Sequence, residues 1–420
     1  MARHLKLRHL AFFTASGHPV TFDFDPGLNV VFATPSNAAN LVIESVDFVL
    51  GAARRPMLAG YGFNKVALSI EEGDGTVFTL ERSAGGAAVR VYNGPPALDV
   101  RAENVKAISP WHNPLAPGNI SKFLLDKIGL GEALHWAEAD ETFKNLSFRS
   151  IAHYFVVNEN DIQKHGSLIE AGQSRSPDFE LAIFNLLHGN YNPEAAKLAE
   201  TDSTLLLLRL ARLQTLEGVI ATAKRHLERN TGSGQDTKAN SQPLQDLIDE
   251  LEDRLSALSW LTRRVDERAE PAALDSETPE TRLCQGVAQL LSQWQMPNTE
   301  MFHFDPVTRD FILAEKPRRA LSKLDRSVVH AAFKIALMKV ALRQNLPHAG
   351  FLLMHAPFLE GRPRDPRDSN DETAKAHMQA HFYKTLAELK RGQLIIIQQG
   401  PDIEGLSGRV HHANFSEKRT

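Results

Sequence analysis

Residues 30 to 51, VVFATPSNAANLVIESVDFVLG, have the outline of a phosphate-binding strand, loop and helix. The consensus of such a loop is G-x-x-x-x-G-K-[ST]: the glycines let the backbone approach the phosphates, the lysine contacts the β- and γ-phosphates, and the hydroxyl binds Mg²⁺. In that register the chain has Ala33 and Ala38 at the glycines, Ala39 at the lysine and Asn40 at the hydroxyl. None of these four positions has the residue type that the consensus requires for a triphosphate.

Each replacement removes a contribution to nucleotide affinity. An alanine forced to the positive φ of a loop glycine costs about 1–2 kcal/mol, and the hydrogen bond of the lysine is worth about 1.5–3 kcal/mol. A micromolar ligand is held by about 8 kcal/mol, so these losses move the affinity for ATP toward the millimolar range or weaker. An alternative interpretation is an ordinary strand, turn and helix start that never belonged to a nucleotide site.

Length and composition predict a globular chain of two or three units, since 420 residues with 42% apolar content can bury a substantial core. No run of eighteen apolar residues occurs, and the first residues, MARHLKLRHLAFF, lack the apolar region of a signal peptide. We therefore expect a cytoplasmic protein without membrane contact. The single cysteine, Cys284, excludes internal disulfides and cysteine zinc clusters, and we expect a buried structural thiol.

The net charge of −4 argues against a uniformly basic surface that holds nucleic acid by bulk electrostatics. Short basic clusters at Arg54-Arg55 and Lys316 to Arg319 are interpreted as solvated edges.

The first 100 residues predict a β-rich lobe around one helix. Strand patterns occupy LKLRHLAFF, PVTFDF, LNVVFA, KVALSIEE, TVFTLERS and AAVRVYN. The helix, Leu41 to Leu50, is closed by Gly51. From Asn119 to about Leu187 the pattern is helical, including the segment Leu146 to Gln163.

Residues 201–270 have a different pattern, with leucine, isoleucine or valine every seventh residue in two arms: Leu206, Leu213, Ile220 and Leu227, then Leu244, Leu251, Leu258 and Val265. The polar turn RNTGSGQDTKANSQP separates them. An antiparallel coiled-coil hairpin of about 40 Å per arm is expected. A plain helical hairpin packed on the main core is the alternative.

After Pro271 the pattern alternates between helices and buried strands. Helices are expected at Thr278 to Gln295, Asp325 to Arg343 and Asp371 to Lys390, a hairpin at FHFDPVTRDFIL, and buried strands at Gly350 to Met354 and Gln393 to Ile397. This alternation predicts a mainly parallel sheet with covering helices. His411-His412 are expected in a flexible tail.

The order of these elements resembles the SMC- and RecN-type ABC ATPase heads, and the C-terminal half is similar to bacterial SMC-like ATPases of phage-defence and other conflict loci. The resemblance is carried by GLNVVFATPSNAANLVIESVDFVLGA, LSFRSIAHYFVVNENDIQ, FHFDPVTRDF, RSVVHAAFKIALMKVAL, LPHAGFLLMHAPF and HFYKTLAELKRGQLIII. It implies an α/β fold: a P-loop NTPase-like ABC-ATPase head with a β-rich N-terminal lobe, a mainly parallel core sheet and a short antiparallel coiled-coil hairpin insertion. Residues 1–200 and 271–420 would form the two halves of the head, and residues 201–270 the hairpin.

The resemblance also assigns roles to positions outside the loop. The strand GFLLM would end in an aspartate for the Mg²⁺-bound water, where this chain has His355 and Ala356. A neutral imidazole does not replace a carboxylate on Mg²⁺, which prefers oxygen ligands. The remaining positions are Ser322 and Lys323 for the signature, Asn158, Glu159 and Gln163 for the Q-loop, and Gln398 and Gln399 for the switch.

The resemblance and the altered positions together predict a pseudo-ATPase without catalytic residues. It would act as a structural or regulatory subunit in a bacterial DNA-related or defence complex. We expect no resident metal or cofactor, weak or absent binding of ATP and Mg²⁺, and a homodimer or a heterodimer with another ABC-like head.

Three alternatives stay open. A weakly active atypical ATPase would use Lys323 or Arg319 in place of the missing lysine. A zinc site would draw on His348, His355, His377 and His381, although no H-E-x-x-H is present. A DNA-binding scaffold would use the base of the hairpin, at Lys224, Arg225, Arg263 and Arg264, where solvated charges beside a heptad seam are the competing interpretation.

Overall fold

The computed structural model describes residues 4–14, 19–34, 37–97, 104–113, 116, 118–130, 135–137, 143–171, 177–190, 220–224, 248, 278–358, 369–398, 406 and 409–415. Contacts divide the chain into two compact units, Met1–Tyr191 with Thr278–Thr420, and Asn192–Glu277. The predicted hairpin, residues 201–270, lies almost wholly outside the described residues, as do Arg225, Arg263 and Arg264. The hairpin and its DNA contacts therefore stay predictions.

The strands are β1 (Lys6–Thr14), β2 (Val20–Asp23), β3 (Gly27–Thr34), β4 (Phe63–Glu71), β5 (Val77–Ser83), β6 (Val89–Asn93), β7 (Lys106–Ile108), β8 (His135–Ala137), β9 (Phe143–Asn145), β10 (Val156–Val157), β11 (Phe302–Asp305), β12 (Asp310–Leu313), β13 (Lys316–Pro317), β14 (Phe351–His355), β15 (Gln393–Gln398) and β16 (Arg409–Asn414). The helices are α1 (Asn37–Val49), α2 (Ile120–Lys127), α3 (Phe148–Ile151), α4 (Glu159–Ile162), α5 (Pro177–His188), α6 (Pro279–Gln293), α7 (Lys323–Gln344) and α8 (Ser369–Ala387). Of the helices described, none is long and apolar enough to cross a membrane.

A five-stranded sheet with the order β10-β14-β15-β3-β16 forms the centre of the first unit, and every pair of neighbours is parallel. Continuous apolar runs such as Phe351–Met354 are typical of strands that are covered on both faces, and each residue of this run is 0% exposed. The α/β class and the mainly parallel core sheet are therefore confirmed.

The N-terminal lobe is a six-stranded antiparallel sheet, β2-β1-β4-β5-β6-β7. It shares one hydrophobic core with the parallel sheet and α1. Gln393, at the start of β15, links the two sheets: its Nε2 donates to the Leu7 and Asp25 carbonyls at 2.8 and 3.0 Å, and its Oε1 accepts from the Leu7 N–H at 2.8 Å. The β-rich lobe predicted from the sequence is thus confirmed.

Gly350 shows how closely the chain before β14 approaches the N-terminal residues. Gly350 precedes β14 with φ +86°, and a Cβ there would lie 2.7 Å from the His4 Cβ and 2.9 Å from the Leu5 carbonyl oxygen. Only glycine fits both the backbone conformation and the space.

The helical prediction for Leu146 to Gln163 was wrong in part. The segment contains α3, a short 3₁₀ turn, the strand β10 and α4. Val156 and Val157 pair in parallel with Leu353 and Met354 of β14, so tertiary pairing overrides the local helical pattern.

The flexible-tail prediction for His411-His412 was also wrong. Both residues lie in β16, where they pair in parallel with Val31 and Phe32 of β3. Their rings contact Phe24 and Phe32, with centroids 5.5 and 5.9 Å apart.

Candidate functional site

The carboxyl ends of the parallel strands bring the predicted site positions on β3, β10, β14 and β15 to one edge of the sheet. Gln398 pairs with Phe32 near the end of β3, His355 pairs with Ile397, and Val157 pairs with Met354. With neighbouring strands about 4.8 Å apart, the ends of β3 and β14 are separated by one strand, roughly 10 Å. Ligands of open α/β sheets bind at this edge.

The four phosphate-loop positions lie mostly in regular structure. Ala33 belongs to β3, pairs with Ala413 and is 6% exposed. Because β3 ends at Thr34 and α1 begins at Asn37, two residues separate strand from helix. The consensus loop spans six residues, here Ala33 to Ala38. Four of these six residues belong to β3 or α1 instead of a loop.

The lysine and hydroxyl positions differ in their surroundings. Ala39 is 0% exposed and belongs to the hydrophobic core. Asn40 is half-buried and lines a cavity beside α1. A lysine at position 39 would have to carry its ammonium out of the core, so the site could not be restored by that substitution alone.

The predicted magnesium position is buried and has no carboxylate. His355 ends β14 at 0% exposure, and Ala356 is 1% exposed with its N–H donating to the Ile397 carbonyl at 2.9 Å. Burial lowers the pKa of His355, while the nearby Glu159 carboxylate raises it. The imidazole at this strand end is therefore neutral at pH 7.

The histidines of the zinc alternative are spread through the fold. His348 precedes β14 and His355 ends it, so the strand separates them, and His377 and His381 lie on α8. No group of three or more histidine, cysteine, aspartate or glutamate side chains suited to a metal occurs in the described ranges.

The Q-loop-like residues surround α4. Asn158 caps this helix: its Oδ1 accepts from the N–H groups of Asn160 and Asp161 at 2.9 and 3.0 Å, and its Nδ2 donates to Asp161 Oδ2 at 2.6 Å. Glu159 is the first helical residue, and Gln163 follows the last one. Asn158 thus has a structural role that accounts for its presence.

The signature-like and switch-like positions also have structural roles. Ser322 is the N-cap of α7, with Oγ accepting from the Asp325 N–H at 3.1 Å, and Lys323 is exposed at the helix start. Gln398 ends β15 at 5% exposure, and its Oε1 accepts from the Tyr383 hydroxyl at 2.9 Å. Gln399 lies outside the described residues.

Arg318 is a buried structural residue whose role the sequence does not reveal. It was placed on a solvated edge, yet it is 1% exposed. Its Nε donates to both Asp310 carboxylate oxygens at 3.0 and 3.1 Å, and Nη1 donates to the Lys164 carbonyl at 3.0 Å. Nη2 donates to the carbonyls of His165 and Gly166. Arg318 therefore fixes the chain that follows the Q-loop-like residues.

Arg82 is a second buried cation, and it lies at the C-terminal end of α1, away from the phosphate-loop positions at the start of that helix. Its Nη1 donates to the Phe48 and Ala52 carbonyls at 2.7 and 2.9 Å, which satisfies the C-terminal end of α1. Burial, together with the nearby Arg55, lowers the pKa of Arg82 to about 10. A basic residue within a strand pattern, as in TVFTLERS, gives little sequence signal for such a role.

No protein-family model and no curated protein matches the chain. Among solved structures, the chain is similar to the Smc head domain with a coiled coil and joint from Pyrococcus yayanosii, at 11% identity over 94% of this chain and 92% of that one, with a TM-score of 0.44. The Smc head domain bound to the C-terminal domain of ScpA, from Pyrococcus furiosus, gives 12% identity over 94% and 90%, with a TM-score of 0.42. The recombination mediator protein RecF of the RecFOR pathway gives 11% identity over 100% of both chains, with a TM-score of 0.36. At TM-scores below 0.5, these likenesses establish neither a shared fold nor a shared activity.

Proposed function

We propose that the chain is a pseudo-ATPase, an SMC-like ABC head that acts as a structural or regulatory subunit in a bacterial DNA-related or defence complex. The observation that supports this most directly is the state of the phosphate-loop positions. Ala33 is a paired strand residue and Ala39 is a core residue, so neither presents a group to a phosphate.

The end of β14, at the same edge of the sheet, supports the same proposal. A competent site needs an acidic ligand for the hydrated Mg²⁺ at the end of β14, and a buried neutral imidazole occupies that position. Phosphoryl transfer depends on positioning and charge neutralisation. With neither the lysine nor the acidic ligand, the apparatus for hydrolysis is missing at two separate strand ends.

The framework around these positions is well packed, which is why we assign the chain a binding role. The site-bearing strands are fully covered, and Ser322, Asn158 and Gln398 each make a structural hydrogen bond. The proposed partner is a second head, either another copy of this chain or a competent relative. Binding of DNA at the base of the predicted hairpin is part of the proposal.

The test is ATP turnover and ATP binding by the full chain. We expect no turnover above the buffer background, and no shift in the melting temperature with 1 mM ATP, with or without Mg²⁺. Turnover that Glu159→Gln or Ser322→Ala abolishes would show that the protein is an active ATPase and would refute the proposal.

The same assay addresses the atypical-ATPase alternative. Lys323→Ala and Arg319→Ala remove the two candidate substitutes for the missing lysine. If either cation serves a nucleotide, its variant loses an ATP-dependent thermal shift that the unaltered chain shows. The proposal expects no ATP-dependent shift of the melting temperature in the unaltered chain or in either variant.

A further inference from the structure

A cavity of about 650 Å³ lies between α1, the loop before α2, and the segment from Phe148 to Lys164. One wall is the face of α1 that carries Asn40, Glu44 and Asp47, which follow at helical spacing. Trp111 and His330 line it from other elements. Small-molecule sites usually enclose about 300–1,000 Å³, so the cavity has the size of a ligand site.

Two carboxylates of the cavity, Glu44 and Asp47, are paired with arginines that also line it. Arg54 Nη2 lies 3.1 Å from Glu44 Oε1, and Arg149 binds both Asp47 carboxylate oxygens at 2.5 and 3.1 Å. Burial lowers the pKa of Lys164, and the carboxylate of Asp161 opposes this shift. A ligand with net charge would disturb these pairs, whereas a neutral ligand leaves them in place.

His330 supplies unused hydrogen-bonding capacity inside the cavity. It is 1% exposed, and a backbone hydrogen bond with Ile162 engages at most one of its two ring nitrogens. Burial lowers the pKa of His330 far below its usual value, Lys334 and Lys164 lower it further, and the hydrogen bond with the Ile162 backbone acts in the opposite direction. A neutral imidazole offers one N–H donor and one acceptor nitrogen. With the N–H directed to the Ile162 carbonyl, the acceptor nitrogen remains, so the matching ligand donates a hydrogen bond.

Trp111 supplies an aromatic surface at the same cavity. It is 57% exposed although it is a large apolar side chain. Its backbone is held in place, because the Trp111 N–H donates to Ser109 Oγ at 3.1 Å and the Ser109 N–H donates to the Gly118 carbonyl at 2.9 Å. An exposed indole on a fixed backbone is suited to stacking with a planar ring.

We infer that this cavity binds a neutral, planar heterocycle that carries an N–H donor on its edge, the chemistry of a nucleobase, stacked on Trp111 with that polar edge toward His330. The base belongs either to a free nucleoside or to an unpaired nucleotide in a strand. The inference does not require a phosphate loop, and it does not depend on the proposed function.

Isothermal titration of the full chain with adenosine and guanosine tests this, with D-ribose as the probe that lacks a base. We expect saturable binding of at least one nucleoside and none of ribose. Trp111→Ala should weaken that binding roughly tenfold to hundredfold, the range for loss of one base-stacking side chain. Trp111→Phe keeps an aromatic ring and should retain most of the affinity.

His330→Phe removes the acceptor nitrogen and keeps a ring of similar size, so it should also weaken binding. The melting temperature of this variant reports whether it folds. Met57→Ala is the matched control, since Met57 is 73% exposed and does not line the cavity. Nucleoside binding that Trp111→Ala leaves unchanged overturns the inference, and so does binding of neither nucleoside.

Two more probes test whether the site prefers a charged ligand and whether the bound base belongs to a free nucleoside or to a strand. AMP binding more tightly than adenosine would identify a phosphate site and overturn the inference. A ten-nucleotide single-stranded DNA that competes with adenosine and loses affinity in Trp111→Ala assigns the site to bases in a strand. Failure to compete assigns it to free nucleosides. None of these results depends on whether ATP is hydrolysed.

Discussion

Acidification should destabilise the first unit through buried histidines, and His188 allows the size of the effect to be worked out. This residue ends α5 at 0% exposure, its Nδ1 donates to the Phe184 carbonyl at 2.7 Å, and its ring packs on Phe184 with centroids 4.3 Å apart. Burial lowers the pKa of His188 from 6.5 to about 4, and the Phe184 carbonyl partly opposes this.

The unfolded chain binds the proton more tightly than the folded one, because the folded pKa is the lower of the two. The contribution of neutral His188 to the free energy of unfolding is therefore fully present above pH 6.5, and it is lost as the pH falls from 6.5 toward 4. Between pH 7.5 and pH 5, this single histidine should lower the free energy of unfolding by about 2 kcal/mol. The limit below pH 4 is about 3.4 kcal/mol.

The assay is urea unfolding at pH 7.5 and pH 5, followed by near-ultraviolet circular dichroism. His188→Asn keeps a donor for the Phe184 carbonyl and cannot titrate, so its pH-dependent loss should be about 2 kcal/mol smaller than that of the unaltered chain. His303→Asn on β11 is the control, because His303 is exposed. Equal losses in the unaltered chain and His188→Asn would refute this account of buried, neutral His188.

Three further predictions concern single buried groups. Arg318→Leu should lower the free energy of unfolding by about 3–5 kcal/mol because it leaves Asp310 buried without its cation, and adding Asp310→Asn should recover part of the loss in the same urea titration. Gln393→Ala removes the hydrogen bonds to Leu7 and Asp25 and should lower the free energy of unfolding by about 2–4 kcal/mol. Urea unfolding measures this loss, and the comparison variant is Gln393→Glu, which keeps the size of the side chain but loses the donor. Burial raises the pKa of Cys284 to about 12, so the thiol should react with a chromogenic disulfide in denaturant and not in the folded protein, and a rapid reaction of the native chain would contradict its burial.

The helices and buried strands that the sequence predicted are those with strong local patterns. Phe351–His355 and Gln393–Gln398 are apolar runs between polar turns, and α7 begins at a serine cap and continues with apolar residues around most of its surface. Such patterns depend on neighbouring residues, so they can be read without knowledge of the tertiary structure.

The features that the sequence did not reveal depend on distant partners. β10 has two residues, too few for any periodicity, and exists because β14 lies beside it. Arg318 looks like a surface cation until Asp310 and the carbonyls of residues 164–166 surround it. The burial of Ala39 likewise follows from the way α1 packs on the sheets, which the loop consensus does not specify.

The position of β3 in the central sheet has a consequence for synthesis on the ribosome. Its neighbours on both sides, β15 and β16, are translated only after almost all the other described elements have emerged. Until then β3 presents two unpaired backbone edges and an apolar sequence, which is the type of segment that pairs with other chains. A nascent chain that stalls before residue 393 would leave this strand without either partner, so the yield of native protein should depend on how quickly the final strands are delivered.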